Sequence, residues 1–124
     1  MSSIRLESTA KTPEVTFVKE PFLMSISGRS IPENSIDFYK PLMDWVDENL
    51  QGMPNEVNIS IRLEYFNTSS SKCLMDLLKR VEKTGVKATV SWYYEDEDED
   101  MLEAGEDYDA IINIPFKLIA TPAE

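Results

Sequence analysis

Residues 56–66 read Glu-Val-Asn-Ile-Ser-Ile-Arg-Leu-Glu-Tyr-Phe, and no other stretch of the 124-residue chain restricts its fold as tightly. Val57, Ile59, Ile61, Leu63 and Tyr65 alternate with Asn58, Ser60, Arg62 and Glu64. A period of two sends one set to each face of a pleated strand, so one face must be covered and the other can meet water. Asn67 to Ser71 then breaks the pattern. Cys73, Leu74, Leu77, Leu78 and Val81 resume it at helical spacing, and Gly85 stands where a C-cap glycine belongs. Lys87 to Tyr94 is β-prone again. A strand, an amphipathic helix and a second strand in this order imply a mixed sheet with helices packed against it.

The rest of the chain is read around that unit. Glu14–Val18 and Phe22–Ser27 predict two strands, joined by a hairpin turn at Lys19-Glu20-Pro21. Gly28 to Asn34 reads as a loop, and Asn34 or Ser35 as the N-cap of a helix over Ser35–Leu50. Phe38, Leu42, Trp45, Val46 and Leu50 form its apolar stripe. Pro41 either kinks this helix or marks its true first turn, and Gly52 and Pro54 end it. A further helix is expected around Met101, Leu102 and Ala104, followed by a strand region over Ile111–Ala120 that Pro115 breaks. Residues 1–13 read as a loose leader. The expected fold is therefore α/β: a single domain over residues 1–124, a mixed β-sheet with helices packed against it.

Composition narrows the function. Twelve basic and 23 acidic residues leave a net charge of −11, which disfavours nucleic acid and anionic membrane surfaces and favours encounter with a basic protein surface. No histidine is present, so the commonest general acid/base and metal ligand is missing. No segment reaches the roughly 20 apolar residues of a membrane helix, and one cysteine, Cys73, cannot form an internal disulfide. A cytoplasmic protein is expected, without catalytic residues, cofactor or metal site. Glu95 to Asp100 lacks the spacing of an EF-hand and reads as a solvated acidic loop. Asp44, Asp47 and Glu48 read as a solvated helix face, Trp45 and Trp92 as core, and Cys73 as a small core residue. Tyr93 and Tyr94 end a strand near the acidic run and are candidates for an exposed interface.

The stretch that carries function is Glu64-Tyr65-Phe66-Asn67-Thr68-Ser69-Ser70-Ser71. Its hydroxyls fall at a helix N-terminus, where free backbone N–H groups and the helix dipole favour negative charge. Ser69 or Ser70 fits the cap, with Thr68 exposed. A phosphate on Thr68 would change what docks on that surface.

Several motifs, in order and spacing, resemble the SiaC-like family of bacterial regulatory phosphoproteins. They are Pro32-Glu33-Asn34-Ser35, Asp44-Trp45-Val46, Asn67-Thr68-Ser69-Ser70, Met75-Asp76, Ser91-Trp92-Tyr93-Tyr94 and Pro115-Phe116. The chain departs from the family at Pro41 and in the acidity of Glu95–Asp100. The resemblance implies a fold like that of anti-sigma-factor antagonists (STAS-like) and a partner-switching role. It implies a Ser/Thr protein kinase with a histidine-kinase-like ATPase fold that phosphorylates Thr68, with Ser69 and Ser70 as alternates, and a phosphatase that reverses it. It implies that the unphosphorylated form binds and activates a diguanylate cyclase, raising cyclic-di-GMP and favouring biofilm or aggregation. Asn67, Thr68, Ser69 and Ser70, with the Pro32-Glu33-Asn34 loop, are the expected partner-binding residues. Two other functions are compatible with the residues. One is a small hydrolase using Ser69 or Ser70 with a lysine or carboxylate base. The other is an acidic mimic that blocks a nucleic-acid-binding protein.

Overall fold

The computed structural model of the protein describes residues 3–19, 22–53 and 56–122. Six strands form one sheet in chain order: β1 (Ile4–Leu6), β2 (Glu14–Lys19), β3 (Phe22–Ser30), β4 (Val57–Phe66), β5 (Ala88–Glu95) and β6 (Phe116–Thr121). β1, β2 and β3 pair antiparallel. β3 through β6 pair parallel, so each of those steps requires a crossover. The crossovers are α1 (Ser35–Asn49), α2 (Thr68–Lys83) and α3 (Glu99–Ile111).

The alternation in β4 decides the layering. Register places Met24 beside Ile59 and Ile26 beside Ile61, and then Ile59 beside Val90 and Ile61 beside Trp92, all buried on one face. Trp45 of α1 packs on Phe17, with ring centroids 5.3 Å apart, and Tyr108 of α3 packs on Trp92 at 5.3 Å. α2 lies against α1, its buried side Cys73, Leu74, Leu77, Leu78 and Val81. The helices thus share one face of the sheet. The opposite face carries Thr16, Ser25, Ser27, Arg62, Thr89 and Tyr93, none of them fully buried, together with the buried Val18 and Ser91. A sheet with four parallel strands normally has both faces covered; the polar set of β4 is what permits one to stay bare.

Four local expectations are corrected. The leader is ordered: Ile4, Arg5 and Leu6 pair with Phe17, Thr16 and Val15, and Thr9 closes a turn with Thr12. Gly28 does not begin a loop, because β3 runs on to Ser30. Gly28 adopts φ +115° at a register slip between Gly28 and Arg29, the bulge that lets the strand continue. The segment 111–115 is not strand; α3 reaches Ile111, Ile112 and Ile114 are buried beyond it, and β6 starts only after Pro115. The acidic run is not a loop throughout: Glu95 ends β5, Asp98 caps α3, and Glu99 and Asp100 form its first turn. The turn residues Glu20 and Pro21, and Pro54, lie outside the described residues.

α1 continues through Pro41. Pro41 is exposed, and its ring nitrogen leaves the Asp37 carbonyl without an i+4 donor.

Candidate functional site

Asn67 starts the site. Its backbone is extended (φ −84°, ψ 174°), and its side-chain oxygen accepts the Ser70 N–H at 2.8 Å. Asn67 is therefore the N-cap of α2, in place of the expected Ser69 or Ser70, and Thr68 is the first helical residue. The Asn67 N–H donates to the Ser30 carbonyl at 3.1 Å, which ties the junction to the end of β3.

The three candidate hydroxyls then separate by environment. Ser70 is fully buried. Its Oγ accepts from Ser30 at 2.9 Å and lies 3.3 Å from Ser35 Oγ. Ser69 is exposed, but its Oγ bonds Ser35 Oγ at 2.8 Å and donates to Asn67 Oδ1 at 3.2 Å. Thr68 is exposed, and among the described residues its hydroxyl has no hydrogen-bond partner. Ser30 also bonds Tyr39 Oη at 2.6 Å. A chain of hydroxyls thus runs from Asn67 through Ser69, Ser35, Ser70 and Ser30 to Tyr39, locking the starts of α1 and α2 to the end of β3.

This network has a pH signature. Burial raises the Tyr39 phenol to about 12, partly offset by its bond to Ser30, and burial raises Tyr108 to about 12 as well. In the unfolded chain both ionise near pH 10, so the unfolded state releases protons first and stability falls as pH rises from 10 toward 12. Denaturant unfolding should lose on the order of 2 kcal/mol per tyrosine across that window. Tyr39→Phe should flatten part of the loss, and should cost about 0.5–1.5 kcal/mol at pH 7 by removing one hydrogen bond from Ser30, whose hydroxyl keeps its bond to Ser70. Equal pH dependence in wild type and Tyr39→Phe would contradict this.

The bond between Ser35 and Ser69 answers where the Pro32-Glu33-Asn34 loop lies: it leads into the helix start that touches the junction. Asn34 caps α1, accepting the Asp37 N–H at 3.1 Å. Glu33 is exposed and pairs with Lys11 at 3.5 Å. Pro32 is buried and offers no open surface.

The neighbours of Ser69 and Ser70 are hydroxyls and an amide. Among the described residues no lysine or carboxylate hydrogen-bonds either one, so neither has the base a nucleophile needs. The described residues contain no group of three or more metal-ligating side chains, and no helix is long and apolar enough to cross a membrane. Asp44 pairs with Lys40, and Asp47 with Arg80 of α2. Cys73 is nearly buried, and burial raises its thiol pKa above the usual range.

The model of SiaC family regulatory phosphoproteins matches residues 6–121. The chain belongs to this family. The fold agrees: apo-SiaC from Pseudomonas aeruginosa superposes with a TM-score of 0.83 at 29% identity, over 97% of this chain and 100% of that one. SiaC crystallised with the diguanylate cyclase SiaD, whose activator it is, superposes at 0.86 and 28% identity, over 95% and 99% of the two chains. An uncharacterized protein of P. aeruginosa strain UCBPP-PA14 is 30% identical over 123 residues, 97% of this chain and 98% of that protein. Family membership places the chain among regulatory proteins of signal transduction.

Nothing in the sequence placed Ser30 and Tyr39 at the site, whereas Ser35 belongs to the Pro32-Glu33-Asn34-Ser35 segment expected to flank Thr68. The one signal for Ser30 was its position just before that segment, and Tyr39 had none.

Proposed function

We propose that this protein is a cytoplasmic, non-catalytic switch. Its unphosphorylated form binds and activates a diguanylate cyclase, and phosphorylation of Thr68 releases that partner. A Ser/Thr protein kinase adds the phosphate and a phosphatase removes it. The output is cyclic-di-GMP, with biofilm or aggregation as its consequence.

One observation carries the choice of residue: of the three neighbouring hydroxyls, Thr68 alone is both exposed and unengaged among the described residues. A second supports it. α1 has Asp37 in its first turn and α3 has Glu99 and Asp100, whereas α2 has no acidic residue there. The partial positive charge of that helix end is left without a carboxylate, and a phosphate on Thr68 would meet it. Ser70 fits a modification poorly, because a phosphate there would break the buried bonds to Ser30 and Ser35. The partner's identity rests on the likeness to SiaC in its complex with SiaD.

Fragment-ion mass spectrometry of protein from its native cells tests this. A single phosphate on Thr68 is expected. Phosphate on Ser69 instead, or Thr68 unmodified across growth phases with phosphatases inhibited, would refute the assignment.

A further inference from the structure

The polar face of the sheet ends in a groove whose lining does not include Thr68, Ser69 or Ser70. It lies at the carboxyl ends of β3, β4 and β5, where open α/β sheets commonly take ligands, and its volume is about 660 Å³. That is within the range of small-molecule sites. Arg29 and Arg62 line it from adjacent strands. Among the described residues neither forms a salt bridge. The Arg62 guanidinium rests on the Tyr93 ring, 5.0 Å from its centroid. Tyr94 and the 58%-exposed Tyr65 complete the lining with ring surface.

In a chain of net charge −11, two unpaired guanidiniums on one groove mark a place for an anion. The rim carboxylates Glu64, Glu95 and Asp98 refine its chemistry. They offer acceptor oxygens that a bare phosphate cannot use, and Asp98 Oδ1 is engaged by the Met101 N–H at 3.0 Å. The remaining carboxylate oxygens accept N–H donors, and the tyrosines accept a flat ring. We propose that this groove binds a purine nucleotide, its phosphate on Arg29 and Arg62, its base against the tyrosines, its N–H groups on the rim carboxylates. Thr68 is not among the residues that line the groove.

Calorimetric titration of the full chain with GMP, AMP and inorganic phosphate tests it. Saturable submillimolar binding of either nucleotide is expected, with phosphate at least about tenfold weaker. Arg62→Gln, checked for native circular dichroism, should weaken the nucleotide about tenfold, and Thr68→Ala should leave it unchanged. Absence of saturation by about 5 mM (about −3 kcal/mol), equal affinity for phosphate, or an unchanged affinity in Arg62→Gln would overturn the proposal. Displacement of the nucleotide by an equimolar glutamate-rich peptide would assign the groove to protein docking instead.

Discussion

Thr68→Ala protein should bind and activate the cyclase as unmodified wild type does, whereas phosphorylated protein should bind it about 100-fold more weakly. The first half follows from what Thr68 does in the fold. Its side chain is exposed, makes no hydrogen bond among the described residues, and sits at the first helical position, with the cap supplied by Asn67. Alanine there removes no contact that holds the helix, and stability should stay within about 0.5 kcal/mol. The second half follows from charge. A phosphate adds between one and two negative charges with strong acceptor oxygens, and a partner surface shaped for a neutral hydroxyl must then desolvate them. A mismatch of that kind costs several kcal/mol, and about 2.8 kcal/mol corresponds to 100-fold.

Thr68→Asp separates loss of interface from loss of fold, because the two effects have opposite signs. A carboxylate at this helix N-terminus should stabilise the isolated protein by about 0.3–1 kcal/mol. Its affinity for the cyclase should nevertheless fall. Affinity measured by calorimetry, together with thermal unfolding of the same samples, checks both. Equal affinity of the alanine, aspartate and phosphorylated forms would remove Thr68 from the interface.

The parts of this site legible in the sequence are those set by local period and local chemistry. Alternation from Val57 to Tyr65 and the helical stripe from Cys73 to Val81 place the junction between them, whatever the rest of the chain does. The same alternation put the apolar set and the polar set on opposite faces of β4, but that the three helices share one face required the sheet order and is seen only in the fold. The cap was misassigned because Asn, Thr and Ser all fit an N-cap locally, and only the Asn67 backbone, held extended by its bond to Ser30, decides among them. The hydroxyl chain was not legible. Ser30 and Ser70 are 40 residues apart, and Ser35 and Ser69 are 34 apart, so nothing near either residue announces the other. β1 was missed for lack of signal: it has three residues, none fully buried. Gly28 misled because a glycine after an alternating run marks a turn more often than a bulge.

Gly105→Ala should destabilise the protein by about 2–4 kcal/mol, although it replaces glycine by the best helix former inside a helix. Propensity alone predicts a gain of about 1 kcal/mol. Packing opposes it. A Cβ at this position would lie 2.6 Å from Trp92 Cδ1, 2.8 Å from its Nε1 and 2.9 Å from Leu118 Cδ2. Trp92 cannot yield. It is fully buried, its ring meets Phe66 at 6.2 Å and Tyr108 at 5.3 Å, and its N–H donates to the Met101 carbonyl at 3.0 Å. α3 must move outward instead, and overpacking of this kind costs about 1–3 kcal/mol. The same displacement strains the Trp92–Met101 bond and the bond from Tyr108 Oη to the Ser71 carbonyl at 2.8 Å, each worth about 1 kcal/mol. Urea unfolding measures the loss, with Glu106→Ala on the exposed side of α3 as the control expected within about 0.5 kcal/mol of wild type. A Gly105→Ala protein as stable as wild type would show that α3 is not seated on Trp92. Because Tyr108 is hydrogen-bonded to Ser71 in the first turn of α2, three residues after Thr68, the substitution should also weaken cyclase binding with Thr68 intact if the proposed switch surface is the docking surface.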